Sequence, residues 1–480
     1  MIKLSAANRK LIGFWQKMGT RYMPFADAAS VEMPLSRLLR LSLFQVSAGF
    51  VMVLLTGTLN RVLIVELGVS VALVSAVVAI PVLVAPLRLF FGYRSDTYKS
   101  VLGWRRVPYI WLGSLLQFGG LAIMPFALLV LQSQTVGPEW AGAAGVGLAF
   151  ILTGFGMHMA QTAGLALASD LVPQEKRPRV VALLYFMLLF GMIGASTFYS
   201  YFLVDFSPKL LIQVIQGTAL TTMIINLIAI WKQEARDTGR SAPDRDLVSF
   251  FDALDEYRSD PGVLRLLIAV AIGSAAFSMQ DILLEPYGGE ILGLSVGETT
   301  RLTGIWAAGT MAGFAWAAHS LQHGAPIFRV AARGILIGIV AFSCVIFASP
   351  LGLTGLFYAG AAGIGLGGGL FAVGTMLAAM GVSEKSDSGL VVGAWGAVQA
   401  TAIGASLLAG GLVKNTINAL ALNGSLGETM ITPASGYLVV YLFEIVLLFL
   451  CLAVLGPLTG RRYRRDENHD MRFGLAELPG

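Results

Sequence analysis

Twelve apolar stretches dominate this chain, and each is long enough to cross a bilayer as a helix, which takes about 20 residues. The predicted spans are 41–67, 71–93, 107–132, 140–169, 179–204, 210–231, 263–284, 299–318, 327–348, 352–380, 389–413 and 434–457. Barrel strands would instead alternate in hydrophobicity over about 10 residues. With 56% hydrophobic and 13% charged residues, the chain is predicted to be an all-α polytopic membrane protein, and a soluble fold is excluded.

The basic residues predict how the chain is oriented in the membrane. Of 33 lysines and arginines, 29 lie on one side of the membrane: before the first span, after the last span, or in and beside the loops that follow the even-numbered spans. Only Arg61, Lys209, Arg301 and Lys414 lie on the other side. By the positive-inside rule, both termini are cytoplasmic. The net charge of +5 follows from this loop topology and from contact with an anionic leaflet, so it predicts no nucleic-acid partner.

The longest polar segment between spans divides them six and six. We predict a cytoplasmic N-terminal arm at 1–40, an N-terminal six-helix bundle at 41–231, a cytoplasmic linker at 232–262, a C-terminal six-helix bundle at 263–457 and a basic tail at 458–480. Two such halves are typical of transporters that rock about a midplane cavity. Apolar residues at helical spacing in the arm predict a short interfacial helix, and a merely basic tail is the alternative.

The loop after the second span carries Gly92, Asp96, Arg105 and Arg106. It resembles the G-x-x-x-D-R-x-G-R-R loop of the major facilitator superfamily, although Thr97 replaces the usual base. A carboxylate near helix ends and neighbouring cations can form an inter-helix lock that opens and closes. These four residues are therefore candidates for a cytoplasmic gate.

Few charged residues lie within the spans, where each is costly and suggests a function. Asn60, Arg61 and Glu66 form a polar cluster in the first span, and Asp281 and Glu285 share one helix face in the seventh. The two acids could bind a cation or pair with Arg61; charges that merely hold helices together are the alternative. Glu444 is the deepest acid, and either a structural hydrogen bond or a proton site would explain it.

His158 and Gln161 share a face of the otherwise charge-free fourth span. A neutral imidazole could ligate the magnesium of a chlorin ring, whereas a lone membrane histidine more often bonds a neighbouring helix. The two cysteines are isolated, and no metal site of the protein's own is predicted.

A glycine-rich run in the tenth span, residues 363–368, satisfies the G-x-G-x-x-G pattern. Its position inside an apolar span excludes a dinucleotide loop, and no G-x-x-x-x-G-K-[ST] loop occurs, so no nucleotide cofactor is predicted. The glycines predict close helix packing or room for a flat ligand.

Six stretches are more specific than a general transporter pattern: PFADAA (24–29), LLRLSLFQV (38–46), GTLNRV (57–62), RSD (94–96), GWRRVPYIW (103–111) and LQFGG (116–120). Together they closely resemble the PucC/LhaA family, the bacteriochlorophyll-delivery members of the major facilitator superfamily in phototrophic bacteria. The long arm looks more like the core-antenna factor (LhaA) than the peripheral-antenna one.

The resemblance implies a major facilitator fold of 12 transmembrane helices and a non-enzymatic assembly factor for light-harvesting complexes in the photosynthetic intracytoplasmic membrane. Bacteriochlorophyll would be its cargo, with antenna α and β polypeptides, carotenoid and pigment-biosynthesis enzymes as implied partners. Two other hypotheses remain: a proton-coupled transporter of a small solute, using Asp281, Glu285 or Glu444, and a structural organiser that never binds pigment.

Overall fold

The computed structural model describes residues 33–83, 104, 106–131, 139–173, 176–234, 261–383 and 388–459. All regular structure within these ranges is helical. Twelve main helices follow in chain order: α1 Leu35–Glu66, α2 Val71–Leu83, α3 Val107–Leu131, α4 Glu139–Asp170, α5 Arg177–Phe202, α6 Pro208–Ile230, α7 Pro261–Glu290, α8 Val296–Gln322, α9 Ile327–Leu351, α10 Thr354–Ser383, α11 Ser388–Leu422 and α12 Ser435–Leu455.

Ten of the described helices are long and apolar enough to cross a membrane. The other two are α2 and α8, at the second and eighth predicted spans. The described part of α2 covers 13 residues, and the rest of the span predicted at 71–93 lies outside the described residues. α8 has 27 residues, but its small and weakly polar side chains give it a lower mean hydropathy than the ten. The predicted all-α polytopic membrane fold is confirmed.

The N-terminal boundary differs from the sequence prediction. α1 begins at Leu35 rather than at 41, because Pro34 stands in extended backbone directly before the helix and the apolar pattern continues through the basic residues that follow. Residues 1–32, with the predicted interfacial helix, lie outside the described part of the chain.

Helix packing brings distant parts of the chain together. α1 packs on α5 and α6, α3 packs on α4, and α10 packs on α8 and α9. Two further contacts, α5 with α8 and α2 with α11, join helices on either side of the polar segment at 232–262. The division into two six-helix bundles at this segment stays a prediction, because most of the segment lies outside the described residues.

Two helices depart from regular α-helix where they approach each other. α1 contains π-helical turns at Val53–Leu59 and Val62–Glu66, which nothing in the sequence predicts. α7 changes to a 3₁₀ turn at Met279–Ile282 and resumes as α-helix at Leu284–Glu290. The regular helix is thus interrupted directly before Glu285, and Pro286 lies in the first turn of the new segment, where its missing N–H is tolerated.

The glycines of α10 serve close packing. A side chain at Gly367 would place its Cβ 2.6 Å from the carbonyl oxygen of Gly334 on α9. Gly365 lies still closer to the backbone carbonyl of Trp306 on α8. Of the two sequence interpretations of this run, close packing is the one observed at these positions.

Candidate functional site

A cavity of ≈ 150 Å³ lies among α1, α2, α4, α5, α7, α8 and α11. Its wall is mostly apolar, with Leu55, Val78, Met157 and Leu407 among the lining side chains. The polar lining groups include His158, Gln280, Asp281, Glu285 and Thr303. The fold therefore brings together His158 and the two acids of α7, which the sequence predicted separately and at unrelated spans.

The acids of α7 are held at the irregular part of that helix. The hydroxyl of Thr303 on α8 donates a hydrogen bond to Glu285 Oε1, and the side-chain amide of Gln280 donates to Asp281 Oδ1. Glu285 and Gln280 are 3% and 1% exposed. The second carboxyl oxygen of Glu285, Oε2, and the amide oxygen of Gln280, Oε1, have no hydrogen-bond partner. This end of the cavity presents buried acceptors without donors.

Gly57 on the π-helical turn of α1 allows Glu285 to approach. A Cβ at this position would lie 2.6 Å from Glu285 Oε1 and 2.8 Å from Thr303 Oγ1, closer than side-chain atoms can pack. Three helices thus meet at one carboxylate. The sequence placed Gly57 beside the polar cluster but gave no indication of this contact.

In the polar cluster of the first span, Arg61 contacts both its own helix and the residues that follow α7. Arg61 Nη1 pairs with Glu66, and its Nη2 donates to the carbonyl of Leu294 at 3.1 Å. Its ion pair is thus with Glu66, five residues along the same helix, and it also interacts electrostatically with Glu285. Whether the acids of α7 bind a cation or hold helices together stays a prediction.

Asn60 on α1 makes a further cross-helix contact. Its amide donates to the carbonyl of Ile282 at 2.8 Å, at the 3₁₀ turn of α7. Thr58 and Thr300 share a hydroxyl hydrogen bond of 3.2 Å between α1 and α8. This part of the cluster holds α1 against α7 and α8.

His158 lies on the cavity wall, and its Nδ1 is 3.3 Å from Gln161 Oε1. Gln161 in turn donates from Nε2 to Gln45 Oε1 on α1 at 3.0 Å. The two residues share one helix face, as their spacing requires. Gln45 was missed, because a glutamine within an apolar span gives no signal of which helix it will face.

Of the predicted cytoplasmic gate, Gly92, Asp96 and Arg105 lie outside the described residues, and Arg106 lies within them. Arg106 Nε pairs with Asp170 Oδ2 at 3.1 Å, at the end of α4. The carboxylate of Glu234, after α6, accepts hydrogen bonds from the backbone N–H groups of Arg106 and Val107 at 2.9–3.2 Å.

These contacts join the ends of α3, α4 and α6, and a carboxylate at the start of α3 suits the positive end of that helix. The contacts of Asp170 and Glu234 with Arg106 were not predicted from the sequence, because the two acids lie 64 and 128 residues from it along the chain. The gate itself stays a prediction.

Glu444 on α12 is completely buried, and neither carboxyl oxygen has a hydrogen-bond partner of normal geometry. It interacts electrostatically with Asp281. The acid that stood alone in its span is thus close to the acids of α7. Among the described residues, no group of three or more histidine, cysteine or acidic side chains is arranged to hold a metal ion.

Comparison with known proteins gives both sequence relatives and structural neighbours. The family described as PUCC protein matches residues 58–463. An "Uncharacterized protein in puhA-bchM intergenic region" of Rhodobacter capsulatus is 52% identical over 98% of this chain and 99% of its own length. Protein PucC of the same organism is 48% identical over 92% of this chain and 96% of its own length.

Two solved transporters share the fold at low sequence identity. An auto-inhibited POT-family peptide transporter superposes with a TM-score of 0.65 at 15% identity, covering 92% of this chain and 100% of the transporter. An inward-facing bacterial homologue of the human lysosomal transporter Spinster gives 0.63 at 15% identity, covering 91% and 98%. The major facilitator fold expected from the sequence is confirmed.

Proposed function

The chain belongs to the PucC family, and we propose that it is an assembly factor for photosynthetic light-harvesting complexes, most directly the core antenna. In this role it binds bacteriochlorophyll in the intracytoplasmic membrane and passes it to antenna α and β polypeptides, which it holds until they receive pigment. Both termini face the cytoplasm, where pigment-biosynthesis enzymes can dock, and carotenoid is a second cargo. No covalent chemistry is involved.

The observation that supports this proposal is the position of His158 on a mostly apolar cavity wall. When His158 Nδ1 donates its proton to Gln161 Oε1, the lone pair of the ring is on Nε2. That neutral tautomer is the one that ligates a metal, here the magnesium that the pigment brings with it. Gln45 fixes the orientation of Gln161, so the histidine is held by hydrogen bonds as metal-binding histidines usually are.

The size of the cavity sets a condition on pigment binding. Sites for drug-sized molecules are typically about 300–1,000 Å³, whereas this cavity is ≈ 150 Å³. A chlorin ring therefore reaches His158 only after the surrounding helices separate. A rocking motion of two halves about a midplane site, of the kind that transporters with this fold use, would provide that opening.

The proposal is tested by complementation of a phototrophic host that lacks its own copy of this protein. We expect His158→Ala to reach wild-type protein levels in the membrane and to lose most of the antenna absorbance. The matched control is His323→Ala, an exposed histidine at the end of α8 that is distant from the cavity wall. Normal antenna absorbance in the His158→Ala strain would overturn the proposed ligand.

A second candidate function is proton-coupled transport of a small solute. The placement of Asp281 and Glu285 on the cavity wall favours it, since burying an acid within a membrane span costs free energy and usually marks a functional site. It predicts that Glu285→Gln abolishes solute uptake while pigment content stays normal. If neither pigment nor solute depends on the cavity, an organiser that acts through its outer surface is the remaining hypothesis.

A further inference from the structure

We infer that the acidic end of the central cavity is a binding site for a small organic cation, a primary ammonium group on a short apolar body. This inference is independent of pigment handling by His158. It follows from the cavity-lining atoms that lack hydrogen-bond partners, from the acidic groups beside them and from the size of the cavity.

Among the side chains that line the cavity, the buried atoms without a hydrogen-bond partner are both acceptors. Glu285 Oε2 and Gln280 Oε1 belong to side chains that are 3% and 1% exposed, and neither oxygen receives a hydrogen bond. A buried acceptor without a donor costs about 1–3 kcal/mol. A ligand that brings N–H donors would remove that cost, whereas one that brings only acceptors would not.

Among the described residues, the acidic groups at this end also outnumber the cations that interact with them. Asp281 and Glu285 both line the cavity, and Glu444 adds a third carboxyl beside Asp281. Arg61 interacts electrostatically with Glu285, but its guanidinium also forms an ion pair with Glu66, so one arginine serves several carboxyl groups. Buried carboxylates are stable when a cation accompanies them, and an anionic ligand would be repelled.

An ammonium group fits the number of acceptors. It has three N–H donors and no acceptor, which match Glu285 Oε2, Gln280 Oε1 and the carboxylate of Asp281. A bare divalent ion fits less well, since the described residues provide no group of three metal-ligating side chains here. The ligand therefore binds through directed hydrogen bonds as well as charge.

The rest of the wall determines the body of the ligand. Leu55, Val78, Met157 and Leu407 line the same cavity as the acids. A cavity of ≈ 150 Å³ is comparable to one that encloses a benzene molecule. A chain of about four carbons, or a small ring, fills it and excludes water from the ion pair.

The inference is tested with the purified full-length chain in mild detergent and three probes of equal chain length: butylammonium chloride, sodium butyrate and 1-butanol. We expect butylammonium alone to raise the unfolding temperature in a saturable way. Glu285→Gln should weaken its apparent dissociation constant about tenfold or more, as expected for a hydrogen bond to a charged group. Glu428→Gln, which neutralises an exposed acid in the loop before α12, is the matched control and should leave the constant unchanged.

A second variant keeps the test valid if Glu285→Gln fails to fold. Leu407→Phe keeps all three acids and fills the cavity, so it should also abolish the butylammonium effect. Equal effects of butylammonium and butanol would show an apolar cavity without cation preference and would overturn the inference. An absent butylammonium effect together with a more stable Glu285→Gln variant would show that protons, not ammonium ions, neutralise the acids, and would also overturn it.

Discussion

Replacement of Gly367 by alanine tests whether the glycine-rich run of α10 exists for helix packing. The added Cβ would lie 2.6 Å from the carbonyl oxygen of Gly334 and 3.0 Å from the amide nitrogen of Gly338. A carbon and a carbonyl oxygen in close contact are normally about 3.3–3.6 Å apart. Because both opposing atoms are backbone, α9 and α10 must separate by several tenths of an ångström or more. Overpacking of this kind costs about 1–3 kcal/mol.

A control in the same helix should not lose stability. Gly355 has nothing within 4 Å of an added Cβ, and as the second residue of α10 it lies outside the helix interior. Gly355→Ala should therefore leave stability unchanged or raise it slightly. The assay is unfolding of the purified protein by increasing SDS in mixed micelles, followed by tryptophan fluorescence and far-UV circular dichroism. Equal stability of the two alanine variants would refute the packing argument and would favour a slot that a flat ligand occupies.

Three further predictions concern the contacts at the helix ends and the cavity. Thr303→Val removes the donor to Glu285 and leaves that buried carboxyl without a partner, so the free energy of unfolding in SDS should fall by about 1–3 kcal/mol; an unchanged value would contradict the contact. Arg106→Gln breaks the ion pair with the half-exposed carboxylate of α4, so stability should fall by about 1 kcal/mol or less, and the loss should shrink at high salt; a loss unaffected by salt would contradict an ionic role. Ser295 and Glu298 form a capping box at the start of α8, and hydrogen bonds from the backbone and hydroxyl of Ser295 lower the pKa of Glu298. The ionised form is thus favoured by folding, and its contribution is present above the unfolded pKa of about 4.5 and lost as the pH falls through the lower folded value. Ser295→Ala should therefore reduce stability at pH 7 by about 1 kcal/mol and flatten the decline in stability below pH 5, measured by thermal unfolding across pH.

The sequence predicts the transmembrane architecture well because a bilayer permits few alternatives. Long apolar runs must be helical in lipid, and the structure has a helix at each of the twelve predicted positions. The irregular turns were predictable only in part. A proline such as Pro286 favours a break in a helix, but the π-helical turns of α1 depend on contacts with α7 and α8 that no local pattern contains.

The site was predicted as separate pieces. His158, Asp281 and Glu285 each stood out as ionisable groups within apolar spans, yet their positions along the chain did not show that they line one cavity. The ion-pair partner of Arg61 could not be assigned from the sequence, because the choice between a local acid and a distant one depends on the turn at Val62–Glu66. Gln45 and Gln280 were missed since uncharged amides are common in membrane helices and become informative only when their partners are known.

The account is tested most directly by the pigment content of the protein purified in mild detergent from a bacteriochlorophyll-making host. We predict that the wild-type chain and His323→Ala carry stoichiometric bacteriochlorophyll in the absorption spectrum and the solvent extract, and that His158→Ala carries little. Antenna polypeptides should co-purify with all three. Wild-type protein without pigment, or a His158→Ala variant that retains it in full, would contradict pigment delivery through the central cavity.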